Sequence, residues 1–401
     1  MQVHGAKFAL FAFAGIIAAN GWGQTSDQAS GDTAAQQTPA PAPGAPAAQA
    51  PAAAPPAAPP VKSIWTVGKV DFSGSADVYY SFNNNHPAGG FNQLYNFDDK
   101  TNQFDLNMAK LTANMDPAPL GFRVDIGLGR VFDNLHPYGT PDPGFMRYVE
   151  QAYISVKPKN MKGFEADFGQ FVTSAGAEVI ETKDDWNYSR SILFAWAIPY
   201  YHFGIRTSMP IGSSVTVGVQ VVNGWNNIID DTGKNMQTVG IVGAVTRKKF
   251  TWSNNYYTGP NVNGVNTGHR NLYDTTLLLT PSDKVNAYIN FDYAHQPRIG
   301  GGADHWAGIA AAMHLQLTKR IAFSPRVEYF NDPSGFSTGT PQRLHEVTFT
   351  GEYKFTDWLL GRAEYRNDGS NVPFFFRGND QTTKTQNTAT IGLIAFFAAK
   401  H

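Results

Sequence analysis

From about Ser63 onward the chain is a succession of period-two segments, apolar on one side and charged or small on the other. Val70, Phe72, Ala76, Val78 and Tyr80 alternate with Asp71, Ser73, Ser75, Asp77 and Tyr79. Phe122, Val124, Ile126 and Leu128 alternate with Arg123, Asp125, Gly127 and Gly129. Successive side chains of a strand point to opposite faces, so each segment reads as a strand with one apolar and one wet face. Repeated over so many strands, this pattern suits a barrel in lipid, apolar outward and polar toward a water-filled lumen. A secreted β-rich sandwich that binds carbohydrate is the soluble alternative.

The connections supply a count. Compact polar turns rich in Pro, Gly, Asp or Lys fall at 116–121, 157–163, 209–214, 246–249, 280–284, 317–320 and 355–358. Long connections fall at 83–101, 132–147, 172–197, 223–236, 259–270, 296–304, 331–342 and 367–386. Seven turns and eight loops make fifteen connections, hence about sixteen antiparallel strands. Short turns at one end and long loops at the other are the habit of outer-membrane barrels, with the short turns in the periplasm.

The facing is consistent along the chain. Val215, Val217, Val219 and Val221 oppose Thr216, Gly218 and Gln220; Val285, Ala287, Ile289, Phe291 and Tyr293 oppose Asn286, Tyr288, Asn290 and Asp292. Leu359, Ala363 and Tyr365 oppose Arg362, Glu364 and Arg366. The second strand slips phase: Phe104, Leu106 and Met108 are followed by Leu111 and Ala113, which calls for a bulge at Lys110 or for Lys110 near an interface. Tyr79–Tyr80, Tyr200–Tyr201, Trp252, Tyr256–Tyr257, Trp306 and Trp358 stand near segment ends, where interfacial girdles belong.

Composition narrows the function classes. Of 401 residues 16 % are charged and 13 % aromatic, and the net charge of −1 offers no basic surface for nucleic acid. No cysteine is present, so disulfides and thiolate metal sites are excluded, and the ten histidines show no metal-like spacing. No cofactor is implied. Residues 1–24, with Lys7 before the apolar stretch Phe8 to Ala19, read as a signal peptide. Residues 25–62, almost wholly Ala, Pro, Gln, Thr and Gly, read as a disordered periplasmic linker ahead of a barrel over 63–401.

Sixteen strands enclose a channel too wide for wall side chains to fill. The third long loop, 172–197, carries Ala175, Ala177, Val179, Ile180, Ile192, Leu193, Phe194 and Trp196, small and apolar residues suited to a helical turn folded into the lumen. Its acids Glu178, Glu181, Asp184 and Asp185 would face a basic lumen wall of Arg123, Arg206, Arg326, Arg362 and Arg366. Opposed charges across such a constriction would set a transverse field that sorts small hydrophilic solutes and ions. Gly335-Phe336-Ser337-Thr338-Gly339 fits a nucleophile-elbow pattern, with His345 nearby, and keeps open an outer-membrane barrel hydrolase. The loop context between Pro333 and Pro341 lacks the required strand–turn–helix.

Several stretches resemble the OmpL-like putative β-barrel porin-2 family. They include Tyr95-Asn96-Phe97-Asp98, Gly121-Phe122-Arg123-Val124-Asp125, Gln151-Ala152-Tyr153, Thr173-Ser174-Ala175-Gly176-Ala177-Glu178-Val179-Ile180-Glu181 and Trp186-Asn187-Tyr188-Ser189-Arg190. Pro199-Tyr200-Tyr201-His202-Phe203-Gly204 and Val222-Asn223-Gly224-Trp225-Asn226-Asn227 continue the likeness. The resemblance implies a pore in the outer membrane of a Gram-negative cell, surrounded by its lipid and inserted by the barrel-assembly machinery. That machinery reads a terminal aromatic in many such barrels, and the last aromatic here is Phe397. A barrel of this size is also compatible with a homotrimer.

Overall fold

The computed structural model describes residues 65–136, 144–229, 238–262 and 265–398; the expected signal peptide and linker lie outside them. A two-residue strand β1 (Thr66–Val67) folds onto β2 (Val70–Asn83), followed by β3 (Gln103–Met115), β4 (Leu120–Leu128), β5 (Val149–Val156) and β6 (Glu165–Val172). The wall continues through β7 (Tyr201–Ile211), β8 (Val215–Val222), β9 (Thr238–Arg247), β10 (Phe250–Val262) and β11 (Val265–Ser282). Then come β12 (Val285–Pro297), β13 (Ala303–Gln316), β14 (Ile321–Asp332), β15 (Gln342–Thr356) and β16 (Leu359–Ser370). A small external hairpin, β17 (Phe375–Arg377) and β18 (Gln381–Thr383), precedes the last wall strand, β19 (Thr385–Phe397).

Each wall strand pairs antiparallel with its neighbour, and β19 pairs with β2 from Thr388↔Asn83 to Phe397↔Gly74. Setting β1 aside from the 17-stranded sheet leaves sixteen strands in a closed ring. Closure satisfies every ladder edge internally, as a wall in hydrocarbon requires.

The facing follows the alternation. Val78, Val219, Ile289, Phe349 and Tyr365 are exposed on the outer surface, while Asp77, Gln220, Asn290, Thr350 and Arg366 are buried on the inner one. Large apolar residues outside and charges inside invert the arrangement of a soluble sandwich, and that reading falls away.

Three expectations need correction. The connection expected over 259–270 is strand: Pro260 pairs with His269 and Val262 with Val265, so β10 and β11 form a long hairpin. The phase slip in β3 comes from a bulge at Asn107, between Asp77↔Met108 and Val78↔Leu106, rather than at Lys110. It turns Met108 inward, where Met108 and Lys110 are both buried. The girdle divides: Trp252, Tyr256 and Trp358 are exposed outside, but Tyr79, Tyr200, Tyr201, Tyr257 and Trp306 are buried inside. Closeness to a segment end does not fix the face; strand register does.

Because the outer surface meets lipid, Phe291→Arg is expected to cost about 2–4 kcal/mol near the bilayer midplane, while Phe291→Leu costs little. Denaturant titration of the barrel in lipid vesicles, followed by gel migration, measures both.

Candidate functional site

The lumen is occupied by chain. Residues 173–200, between β6 and β7, contain a 3-10 turn (Thr182–Asp184) and a five-residue helix α1 (Ile192–Trp196) whose Ser191 cap accepts from the Phe194 N–H at 3.0 Å. Small and apolar residues let this segment bury: Ala175, Val179, Ile180, Ile192, Leu193 and Phe194 have almost no exposed surface.

Its reach is the defining geometry. In wall order β6 is fifth and β14 thirteenth of the sixteen strands, diametrically opposite. Yet Glu328 of β14 accepts from the Ile192 and Leu193 N–H groups at 2.9 and 3.1 Å. Glu364 of β16 accepts from the Tyr188 and Ser189 N–H groups at 2.6 and 2.9 Å. Asn187 donates to the Ser324 carbonyl at 3.0 Å and to Thr350 Oγ1 at 2.7 Å. The Tyr188 hydroxyl donates to Asp77 of β2 at 2.6 Å. The loop is thus tied to the far wall mostly through its own backbone.

The expected acid–base partners divide into two groups. Glu178 pairs with Arg326 at 2.7 Å, both buried, as an opposed-charge contact between loop and wall. Arg362 and Arg366 also meet the loop, but at carbonyls: Arg362 donates to Asn187, Asp185 and Thr182, and Arg366 to Arg190 at 2.6 Å. Their ion pairs are with wall acids, Glu352 at 2.8 Å and Asp368 at 2.8 Å. Arg123 and Arg206 pair with wall acids too, Asp125 at 3.0 Å and Asp167 at 2.7 Å. These two differ in access. Their side chains keep 32 % and 26 % exposure, against 0 %, 2 % and 0 % for Arg326, Arg362 and Arg366.

Of the loop acids, Asp185 is buried against Arg190 at 2.8 Å, and Asp184 lies exposed beside Lys183. Glu181 contacts Lys110, which also reaches Glu150 at 2.9 Å and Asp125 at 3.9 Å. The oxygens of Asp125, Glu150 and Glu181 lie within 4.8 Å of one another, but Lys110 already supplies the positive charge among them. Burial pushes the Glu181 carboxyl up, yet Lys110, then Lys183 and Arg123, outweigh it and hold the group at about 2. It stays ionised through the physiological range.

Arg190 is the residue the charge pattern did not single out. Wholly buried, it donates to the Val179, Tyr188 and Ile180 carbonyls at 2.7, 2.6 and 2.5 Å and so holds the loop's two limbs together. The first long connection also enters: Phe97 lies 5.9 Å from Phe194 and 6.0 Å from Tyr200, and Arg366 sits 4.3 Å over the Tyr95 ring. Its aromatic residues were the available signal.

Ser337 shows no nucleophile geometry. Its hydroxyl donates to the Trp196 carbonyl, its N–H donates to Asp332 at 3.0 Å, and it is buried while His345 lies exposed on the outer face.

A model of the family described as "Putative beta-barrel porin-2, OmpL-like" matches residues 69–397. Among solved structures, the outer membrane channel DcaP of Acinetobacter baumannii is similar at a TM-score of 0.57 and 10 % identity, over 84 % of this chain and 100 % of that one. An anion-selective porin from Comamonas acidovorans gives a TM-score of 0.56 at 11 % identity, covering 82 % and 99 %. A trimer form of OmpT, an outer membrane protein of Vibrio cholerae, gives 0.53 at 15 %, covering 82 % and 99 %. At such identities the likeness is one of fold. No curated protein matches in sequence.

Asp98, on the first long connection, is fully buried with neither oxygen hydrogen-bonded. Burial, reinforced by Glu364, pushes its carboxyl up to about 8 against the pull of Arg190 and Arg366. The folded state therefore holds a proton that the unfolded chain releases near pH ~4, and stability falls as pH rises from there through about 8. Unfolding midpoints across that range should show the slope in the parent chain and lose it in Asp98→Asn.

Proposed function

Because the chain belongs to the OmpL-like β-barrel porin-2 family and is an outer-membrane porin, we propose that it passes small hydrophilic solutes and ions passively past a constriction formed by 172–197. The carrying observation is the reach of that segment from β6 to β14–β16, directly across the barrel. A segment fixed at both walls divides the lumen and narrows the aqueous path. Among the described residues, charges with water contact near this turn include Arg123 and Arg206 on the wall and Lys183 and Asp184 on the turn, with Glu181 between. Glu178, Asp185, Arg326, Arg362 and Arg366 position the loop; Glu181 and Asp184 set the field at the opening.

We place the 25–62 linker in the periplasm, a reading supported by the start of β2 at the tight-turn end of the wall. A homotrimer is the assembly we propose, supported by barrel size and by the trimer form of the fold neighbour from Vibrio cholerae. The hydrolase alternative finds no support in the surroundings of Ser337.

In planar bilayers with asymmetric salt, replacing Glu181 and Asp184 with Asn removes the acids and leaves Arg123, Arg206 and Lys183 at the opening. The reversal potential is expected to shift toward anions; an unchanged potential would count against the constriction role. A single monomer-sized species after mild detergent extraction would sink the trimer.

A further inference from the structure

Away from the opening, two acids face each other on the inner wall. Asp274 of β11 is the direct cross-strand partner of Asp292 of β12, and both are fully buried. Like charges placed opposite one another destabilise a ladder, and buried charge calls for a counter-charge. Among the described residues, no ion pair involves either carboxylate.

The two acids are served unequally. Asp274 accepts from Asn255 Nδ2 at 2.6 Å and from Asn290 Nδ2 at 2.8 Å. No amide or hydroxyl group donates to either oxygen of Asp292, whose side-chain hydrogen-bond contact is with the Asp274 carboxyl itself. Thr276, two residues from Asp274 on the same face and opposite Asn290, is buried, and its hydroxyl also lacks a partner. A proton shared between the carboxyls would leave the second Asp292 oxygen and the Thr276 hydroxyl unserved. A divalent cation between the two carboxyls would neutralise both acids and give these inward-facing oxygens a partner.

We propose that Asp274, Asp292 and Thr276 form an internal site for a hard divalent cation, calcium by the all-oxygen donor set. The site lies at the root of the third loop. Asn255 Nδ2, which serves Asp274, also donates to the Ser174 carbonyl at 3.0 Å, and the Ser174 hydroxyl donates back to Asn255 at 2.9 Å. Leu193 of the same loop closes over Gly308, the β13 partner of Asp292. A cation here fastens the wall beneath the loop, independently of what the channel conducts.

The full chain, refolded in detergent free of lipopolysaccharide with calcium chloride and then desalted into metal-free buffer, is assayed for bound calcium by atomic absorption. Stoichiometric calcium is expected in the parent chain. Retention should be at least about tenfold weaker in Asp292→Asn, which removes a ligand charge, and undiminished in Glu150→Gln, which alters the lysine-filled cluster. Calcium should also raise the unfolding midpoint of the parent chain and leave that of Asp292→Asn unmoved. Heat-modifiable migration shows that each variant has folded. Calcium-free parent protein, as a shared proton predicts, or calcium undiminished in both Asp292→Asn and Asp274→Asn, overturns the site.

Discussion

Everything in this molecule depends on the seam between β19 and β2. Ten residue pairs, from Thr388↔Asn83 to Phe397↔Gly74, join the last strand to the first of the wall. In hydrocarbon no water can satisfy an open edge, so an unclosed sheet would leave a row of peptide groups unpaired at several kcal/mol each. Closure fixes the strand number, and that number fixes a lumen too wide for side chains to fill. The apolar exterior, the charged interior and the need for loops inside all follow.

The interior is held by polar contacts in place of an oily core. Arg190, Arg326 and Arg366 are among the largest fully buried side chains, and each serves two or more partners. Breaking one of these contacts would strand a buried charge, which costs far more than the net worth of the pair. The loop is gripped from Asn187 to Leu193 and again at Glu178 and Thr182, and its 181–184 turn presents charge to water at Lys183 and Asp184. Wall glycines make room for this: a Cβ on Gly392 would stand 2.0 Å from the Tyr188 ring.

How far the sequence could be read depended on what each signal reports. The fifth connection was misjudged because Gly259, Pro260 and Asn261 are turn residues by type, yet they sit in a hairpin where the ladder continues to Val262↔Val265. The partners of the wall arginines were not legible in the sequence. Arg362 and Arg366 meet loop carbonyls, and every residue has a carbonyl, so no charge pattern could mark the ones they choose. Arg123 pairs with Asp125 two residues along its own strand, and Arg206 with Asp167 directly across the β6–β7 ladder, because either carboxylate is nearer than one across a lumen.

The sequence by itself determined the strands, their count and which face meets lipid, because alternation and turn chemistry are local and repeat in every segment. Only the tertiary structure decided where the third loop lands, which charges stay open to water and which aromatics turn inward. Those depend on the register around a closed ring and on contacts between residues more than a hundred positions apart, such as Ile192 with Glu328. A one-residue bulge at Asn107 reverses the facing of what precedes it, and period two alone cannot locate it.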